Sequence, residues 1–82
     1  MRRTGKSKID EKWLKNLGHH VEKLIKKGGY SSPYHFWIEK AGDHLSRSAL
    51  NYIVNGSKDP KATTIRVLAE LLGVSPAEIL NF

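Results

Sequence analysis

With 82 residues, the chain has room for one domain, and a domain of this size buries only about 60% of its unfolded surface, so pairing with a second copy would add needed stability. It contains no cysteine and no apolar run near the roughly 18 residues of a membrane span, which excludes disulfides, thiolate zinc sites and a membrane-crossing helix and fits a reducing cytoplasm. The net charge of +6 is concentrated in residues 1–27, with nine Lys/Arg against three acidic residues, whereas residues 28–82 hold five of each sign; a basic excess points to a polyanionic partner such as nucleic acid.

Residues 1–8 (Met-Arg-Arg-Thr-Gly-Lys-Ser-Lys) carry no large apolar residue after Met1 and read as a disordered basic arm, leaving 9–82 as the folded domain. No apolar stretch follows them as it would in a secretory signal. The first helix is expected from Asp10, as N-cap, to Lys27, with Trp13, Leu17, Val21, Leu24 and Ile25 on one stripe. Lys26 and Lys27 suit the negative end of its dipole, Gly28-Gly29 ends it, and Gly18 marks a candidate kink.

Ser32 and Pro33 open the second helix as N-cap and first helical residue. Tyr34, Trp37, Ile38 and Ala41 form its apolar face at α-helical pitch, Phe36 falls off that face, and Gly42 closes it. Ser46 caps a third helix that stops at Asn55-Gly56. After the turn Ser57-Lys58-Asp59-Pro60, a fourth carries Ile65, Leu68, Ala69 and Leu72 on its main stripe. Val67 and Leu71 point elsewhere, so this helix is expected to be covered on two sides, and Gly73 ends it. In the short fifth helix, Ser75-Pro76-Ala77-Glu78 is a capping box, and Val74 and Ile79 are spaced as a hydrophobic staple. No segment alternates like a strand, so the expected fold class is all-α, with five helices.

The third helix divides cleanly at about 100° per residue. With Arg47 at zero, Asn51, Asn55, Ser48 and Tyr52 fall at roughly 40°, 80°, 100° and 140°, while Ala49, Ile53, Leu50 and Val54 fall at roughly 200°, 240°, 300° and 340°. One face is wholly apolar and must pack. The other presents a guanidinium, a hydroxyl, two carboxamides and a phenol, where a merely solvated face would carry Lys and Glu. Arg bonds two guanine acceptors at once, Asn does the same with adenine, and Ser adapts to either.

Residues 17–80 resemble the phage-repressor (Xre-like, lambda-repressor-like) helix-turn-helix family. The likeness runs through Leu17–Lys27, Ser32–Gly42 with its Glu-Lys-Ala-Gly ending, Ser46–Gly56 with its closing Asn-Gly, and Asp59-Pro60. It is most specific over Ile65-Arg-Val-Leu-Ala-Glu-Leu-Leu-Gly-Val-Ser-Pro-Ala-Glu-Ile-Leu80. The resemblance implies a regulator of transcription, repressor or controller in type, that binds double-stranded DNA with its third helix in the major groove and its second across the backbone. It implies base contacts from Arg47, Ser48 and Tyr52, with Asn51 beside them. Phosphate contacts would come from Asn55, Lys58 and Lys61, and from the helix starts near Ser32 and Ser46.

Two departures from the family pattern are visible. Pro33 stands where the family usually has a phosphate-fixing Gln, so either Tyr34 or His35 substitutes or the contact is lost. The turn Gly42-Asp43-His44-Leu45-Ser46 is about two residues longer than usual, and Ile38 occupies a position normally kept small. A bulky residue and a longer turn would compensate for each other if they spaced the two helices apart.

Because residues 28–82 are neutral, Arg2, Arg3, Lys6 and Lys8 are expected to supply much of the attraction to phosphate. One helix in one groove reads few bases, so a homodimer is expected, with Val67, Leu71, Leu80 and Phe82 as interface candidates. A protein acting on DNA in this way would be cytoplasmic and nucleoid-associated.

Other chemistries are poorly supported. His19 and His20 are adjacent and point about 100° apart on a helix; His35 and Glu39 are spaced i, i+4 but lack a third ligand. No metal site, cofactor or enzyme activity is expected, since the sequence has neither a nucleophile with a base in register nor a Gly-rich phosphate loop. Tyr30, Tyr34, Trp37 and Trp13 have the spacing of core residues rather than of a single-strand stacking platform. The basic residues of the first helix surround it instead of forming one membrane-facing side. The competing reading is an antitoxin-like module that binds a protein partner through the same fold, with DNA binding secondary or absent.

Overall fold

A computed structural model describes residues 8–82, and it begins with the longest element, α1 (Lys8–Lys27). The helix starts two residues before Asp10, so Asp10 is no N-cap; with Glu11 it lies in the first turn, where a carboxylate faces the positive end of the dipole. Leu14, Leu17, Val21 and Ile25 form its buried edge. Leu14 thus replaces Trp13 on the stripe expected from sequence, and Trp13 is left 44% exposed. The 20-residue helix runs without a break through Gly18, and the glycine serves another purpose. A β-carbon there would lie 2.3 Å from the carbonyl oxygen of Val54, so its absence lets another helix cross α1 backbone against backbone.

The second helical segment is where periodicity misled. It consists of α2 (Pro33–Phe36), opened by Ser32 Oγ accepting from the His35 N–H at 3.1 Å, and continues directly into a π-helical turn, Trp37–Ala41. At α pitch Phe36 and Ala41 would be about 140° apart. The wider π turn advances less per residue and brings both inward. Phe36 is fully buried with Ala41, whereas Tyr34 and Ile38 are 50% and 55% exposed. The expected apolar face is therefore corrected on both counts. Ile38, turned to solvent, separates no helices, so the notion of a bulky spacer compensating for a long turn is overturned.

The connection that follows is fastened at both ends. Ala41 O accepts from the N–H groups of His44 and Leu45, each at 2.9 Å, and the Trp37 indole Nε1–H donates to Leu45 O at 2.8 Å. From there Ser46 caps α3 (Arg47–Asn55), its Oγ accepting from the Ala49 N–H at 3.0 Å. Gly56 closes the helix at φ +70°, a left-handed conformation that an L side chain adopts only under strain. α4 (Ala62–Leu72) buries Ile65, Leu68 and Ala69 and ends at Gly73, φ +74°. Leu71 is half-buried and packs against the same core, whereas Val67 is half-buried outside it. α5 (Pro76–Ile79) starts where Ser75 Oγ accepts from the Glu78 N–H, and Ile79 is fully buried with Val74 packed beside the core.

One apolar cluster joins these elements, drawing Leu17, Val21 and Ile25 from α1, Phe36 and Ala41 from the second segment, Leu50 and Ile53 from α3, Ile65, Leu68 and Ala69 from α4, and Ile79 from α5. No polar side chain is buried among the described residues. Tyr30 and Trp37 pack against the cluster as their spacing suggested, but Trp13 and Tyr34 stay outside it. His20 sits at its margin and donates from Nε2 to Glu78 O at 2.8 Å, tying α1 to α5. The described residues contain no strand, and none of their helices is long and apolar enough to cross a membrane.

Candidate nucleic-acid interface

The two faces of α3 have the environments their composition demands. Leu50 and Ile53 are buried, and Ala49 and Val54 half-buried, so that side is anchored on α1 and the second segment. The anchoring is close. Gly18 admits the Val54 carbonyl, and Gly56 sits so near Lys15 that a β-carbon on it would lie 3.0 Å from the Lys15 backbone. Arg47, Ser48, Asn51, Tyr52 and Asn55 are all exposed on the opposite side. The helix thus presents an uninterrupted hydrogen-bonding face, held rigidly from behind.

Two aromatic rings organise the cations around this face. The Arg47 guanidinium lies over the Tyr34 ring, 4.5 Å from its centroid, and Lys58 Nζ lies over the Tyr52 ring at 4.3 Å. Tyr34 in turn stacks on Trp37, with centroids 6.4 Å apart and planes 16° from parallel. Among the described residues no carboxylate pairs with Arg47, Lys58 or Lys61, so their charges remain available to an outside anion. These aromatic–cation pairs were not legible beforehand: Tyr34 and Arg47 are separated by the π turn and the fastened loop, and Tyr52 and Lys58 by the end of α3.

The remaining candidates divide into committed and available groups. Ser32 and Ser46 spend their hydroxyls on capping. His35 accepts the Ser31 N–H on Nδ1 at 3.0 Å, holds Nε2 3.8 Å from Glu39, and packs edge-on against Tyr30. Of the first N–H groups of α2, Pro33 has none and that of His35 is capped, which leaves Tyr34 N–H for an outside acceptor. Lys58 and Lys61 are exposed in the loop and at the start of α4. Arg2, Arg3 and Lys6, and the side chain of Lys8, lie outside the described residues; the Lys8 backbone opens α1.

Away from this face, Leu80 and Phe82 are exposed, whereas Val67 and Leu71 are half-buried on α4. The Phe82 ring lies 5.4 Å from Trp13 and 5.7 Å from His20. These residues line a shallow hollow of about 610 Å³ beside α1. Among the described residues, no three His, Asp or Glu side chains are grouped as a metal site.

Neither a curated protein nor a solved structure matches the chain. A family model described as helix-turn-helix matches residues 39–79, which is half of the 82 residues. The match takes in the end of the π turn, the fastened loop, α3, α4 and α5, and leaves α2 with Pro33 outside it. With its capped, back-anchored third helix following the second across the fastened loop, the chain belongs to the helix-turn-helix family of DNA-binding domains, in its phage-repressor (Xre-like) branch.

Proposed function

We propose that this protein is a sequence-specific regulator of transcription, of repressor or controller type, that inserts α3 into the major groove of double-stranded DNA. The observation that carries this reading is the exposed row Arg47, Ser48, Asn51, Tyr52 and Asn55 on a helix whose other side is locked into the core. Arg47 and Asn51 have donor and acceptor patterns matching guanine and adenine edges, and Ser48 and Tyr52 supply hydroxyls beside them. Asn55, Lys58 and Lys61 flank the row as phosphate contacts, with Tyr34 N–H at the start of α2. Of the two candidates to replace the family's Gln, Tyr34 is the better, through its backbone N–H and not its ring, because the His35 ring is held by Ser31 and Glu39. Ser32 and Ser46 approach phosphate through their backbone, as caps.

The residues of 1–8, with Arg2, Arg3, Lys6 and Lys8, add the charge that residues 28–82 lack. A homodimer would set two α3 helices about 34–36 Å apart on a near-palindromic site. Leu80 and Phe82 offer more area for that pairing than Val67 and Leu71. Such a regulator works in the cytoplasm, on the nucleoid. Selection from a random duplex pool, followed by titration at several salt concentrations, tests the proposal. The expected result is an enriched near-palindrome bound with a steep negative salt slope. A pool that yields no consensus, with no duplex retained at low salt, would refute it.

A second reading draws on the neutral charge of residues 28–82 and on the exposed Tyr34 and Ile38: a module that holds a protein partner on the second segment. Stoichiometric capture of one protein, in a preparation that binds no duplex, would favour it.

A further inference from the structure

We infer that Tyr34 is a positioning residue for sequence reading: its ring fixes the Arg47 guanidinium at the start of α3 so that Arg47 reads one guanine. The inference rests on the regulator reading and extends it to a side chain that itself touches no base. Arg47 follows directly on the Ser46 cap, and a side chain of its length on an exposed helix end would ordinarily sample many rotamers and lose that freedom on binding. Here the guanidinium already rests on an aromatic face, 4.5 Å from the ring centroid.

The mode of restraint matters. A carboxylate or amide partner would consume the N–H donors that a base needs. A ring engages the face of the planar guanidinium and leaves its in-plane donors, the ones that form the fork to guanine O6 and N7, directed outward. The Tyr34 ring is itself supported. It stacks on Trp37, which is packed against the core and bonded through Nε1–H to Leu45 O at 2.8 Å. Leu45 immediately precedes the Ser46 cap, so the same indole steadies both the platform and the turn that aims α3. The column runs from core to Trp37, to Tyr34, to Arg47.

The test compares base preference at each position of the selected site for the wild type, Arg47→Ala, Tyr34→Ala, Tyr34→Phe and the Arg47→Ala/Tyr34→Ala double variant. Arg47→Ala should abolish a guanine preference at one position. Tyr34→Ala should weaken that same preference about two- to fivefold, the equivalent of an exposed cation–π contact, with the salt slope unchanged. Tyr34→Phe should retain it, and Tyr34→Ala should have no further effect once Arg47 is gone. Uniform weakening across all sequences by both Tyr34 variants would mean that the hydroxyl merely touches phosphate, and would overturn the inference. So would an undiminished guanine preference in Tyr34→Ala. In the free protein, Arg47 side-chain proton resonances should be shifted upfield by the ring in the wild type and Tyr34→Phe and return to ordinary values in Tyr34→Ala. Absence of that shift, in a protein that still selects a duplex sequence, sinks the platform and spares the regulator reading; failure to bind any duplex sinks both.

Discussion

A β-carbon added at Gly18 would lie 2.3 Å from Val54 O and 2.7 Å from Ile53 O, both backbone atoms of the helix that carries the candidate reading face. Alanine would raise helix propensity by up to about 1 kcal/mol, but it must push α3 away from α1, and overpacking of this kind costs about 1–3 kcal/mol or more. Gly18→Ala is therefore expected to lower the urea midpoint, and a higher midpoint would contradict the close crossing. Phe36 presents the opposite case, a large side chain buried completely at the junction of the second segment with the core. Phe36→Ala should cost about 3–5 kcal/mol, a large share of the roughly 5–15 kcal/mol available to a small domain, and should show as a collapse of the thermal transition. Arg47→Ala, by contrast, removes an exposed side chain and should leave the melting temperature nearly unchanged while costing about 1–3 kcal/mol at a single base pair. Neither Gly18 nor Phe36 could be assigned from spacing, because the reason for each lies in a neighbouring element.

At the scale of elements, caps were the most readable feature. Ser32, Ser46 and Ser75 each accept the N–H three residues ahead, and the glycines at 56 and 73 end helices in the left-handed conformation. Ser46→Ala should cost about 0.5–2 kcal/mol, and the loss should concentrate in the first turn of α3, where amide exchange of Ala49 and Leu50 would accelerate more than that of Ile53. Equal acceleration along the helix would mean that the cap is not what sets the start. The π turn was illegible for a physical reason: a reading at 100° per residue assumes uniform pitch, and one wide turn re-sorts every face beyond it. The apolar side of α3 needed no such correction, since its pitch is regular and its two chemistries never overlap.

For the whole molecule the relevant quantities are charge and pairing. All of the excess charge precedes Gly28, so removal of residues 1–8 should flatten the salt dependence of duplex binding, by a slope of about 0.9 for each phosphate those residues neutralise. An unchanged slope would move the electrostatic attraction to α1 and the loop lysines. The proposed homodimer, paired through Leu80 and Phe82, would make duplex binding cooperative, and Leu80→Asp should abolish that cooperativity without unfolding the domain, because Leu80 is 47% exposed. Sedimentation with and without duplex would check this directly.

Short-range chemistry written along the chain determined the helix count, the three serine-capped starts, the glycine stops and the two-sided character of α3, because each depends on residues within about one helical turn; the start of α1, where Asp10 is not the cap, was not among them. Tertiary structure decided the rest: which of Trp13 and Leu14 turns inward, why Gly18 must lack a side chain, how Phe36 reaches the core, and which ring supports Arg47. Those outcomes depend on contacts between segments whose distance and angle are settled only when the core closes, and a single wide turn is enough to change them.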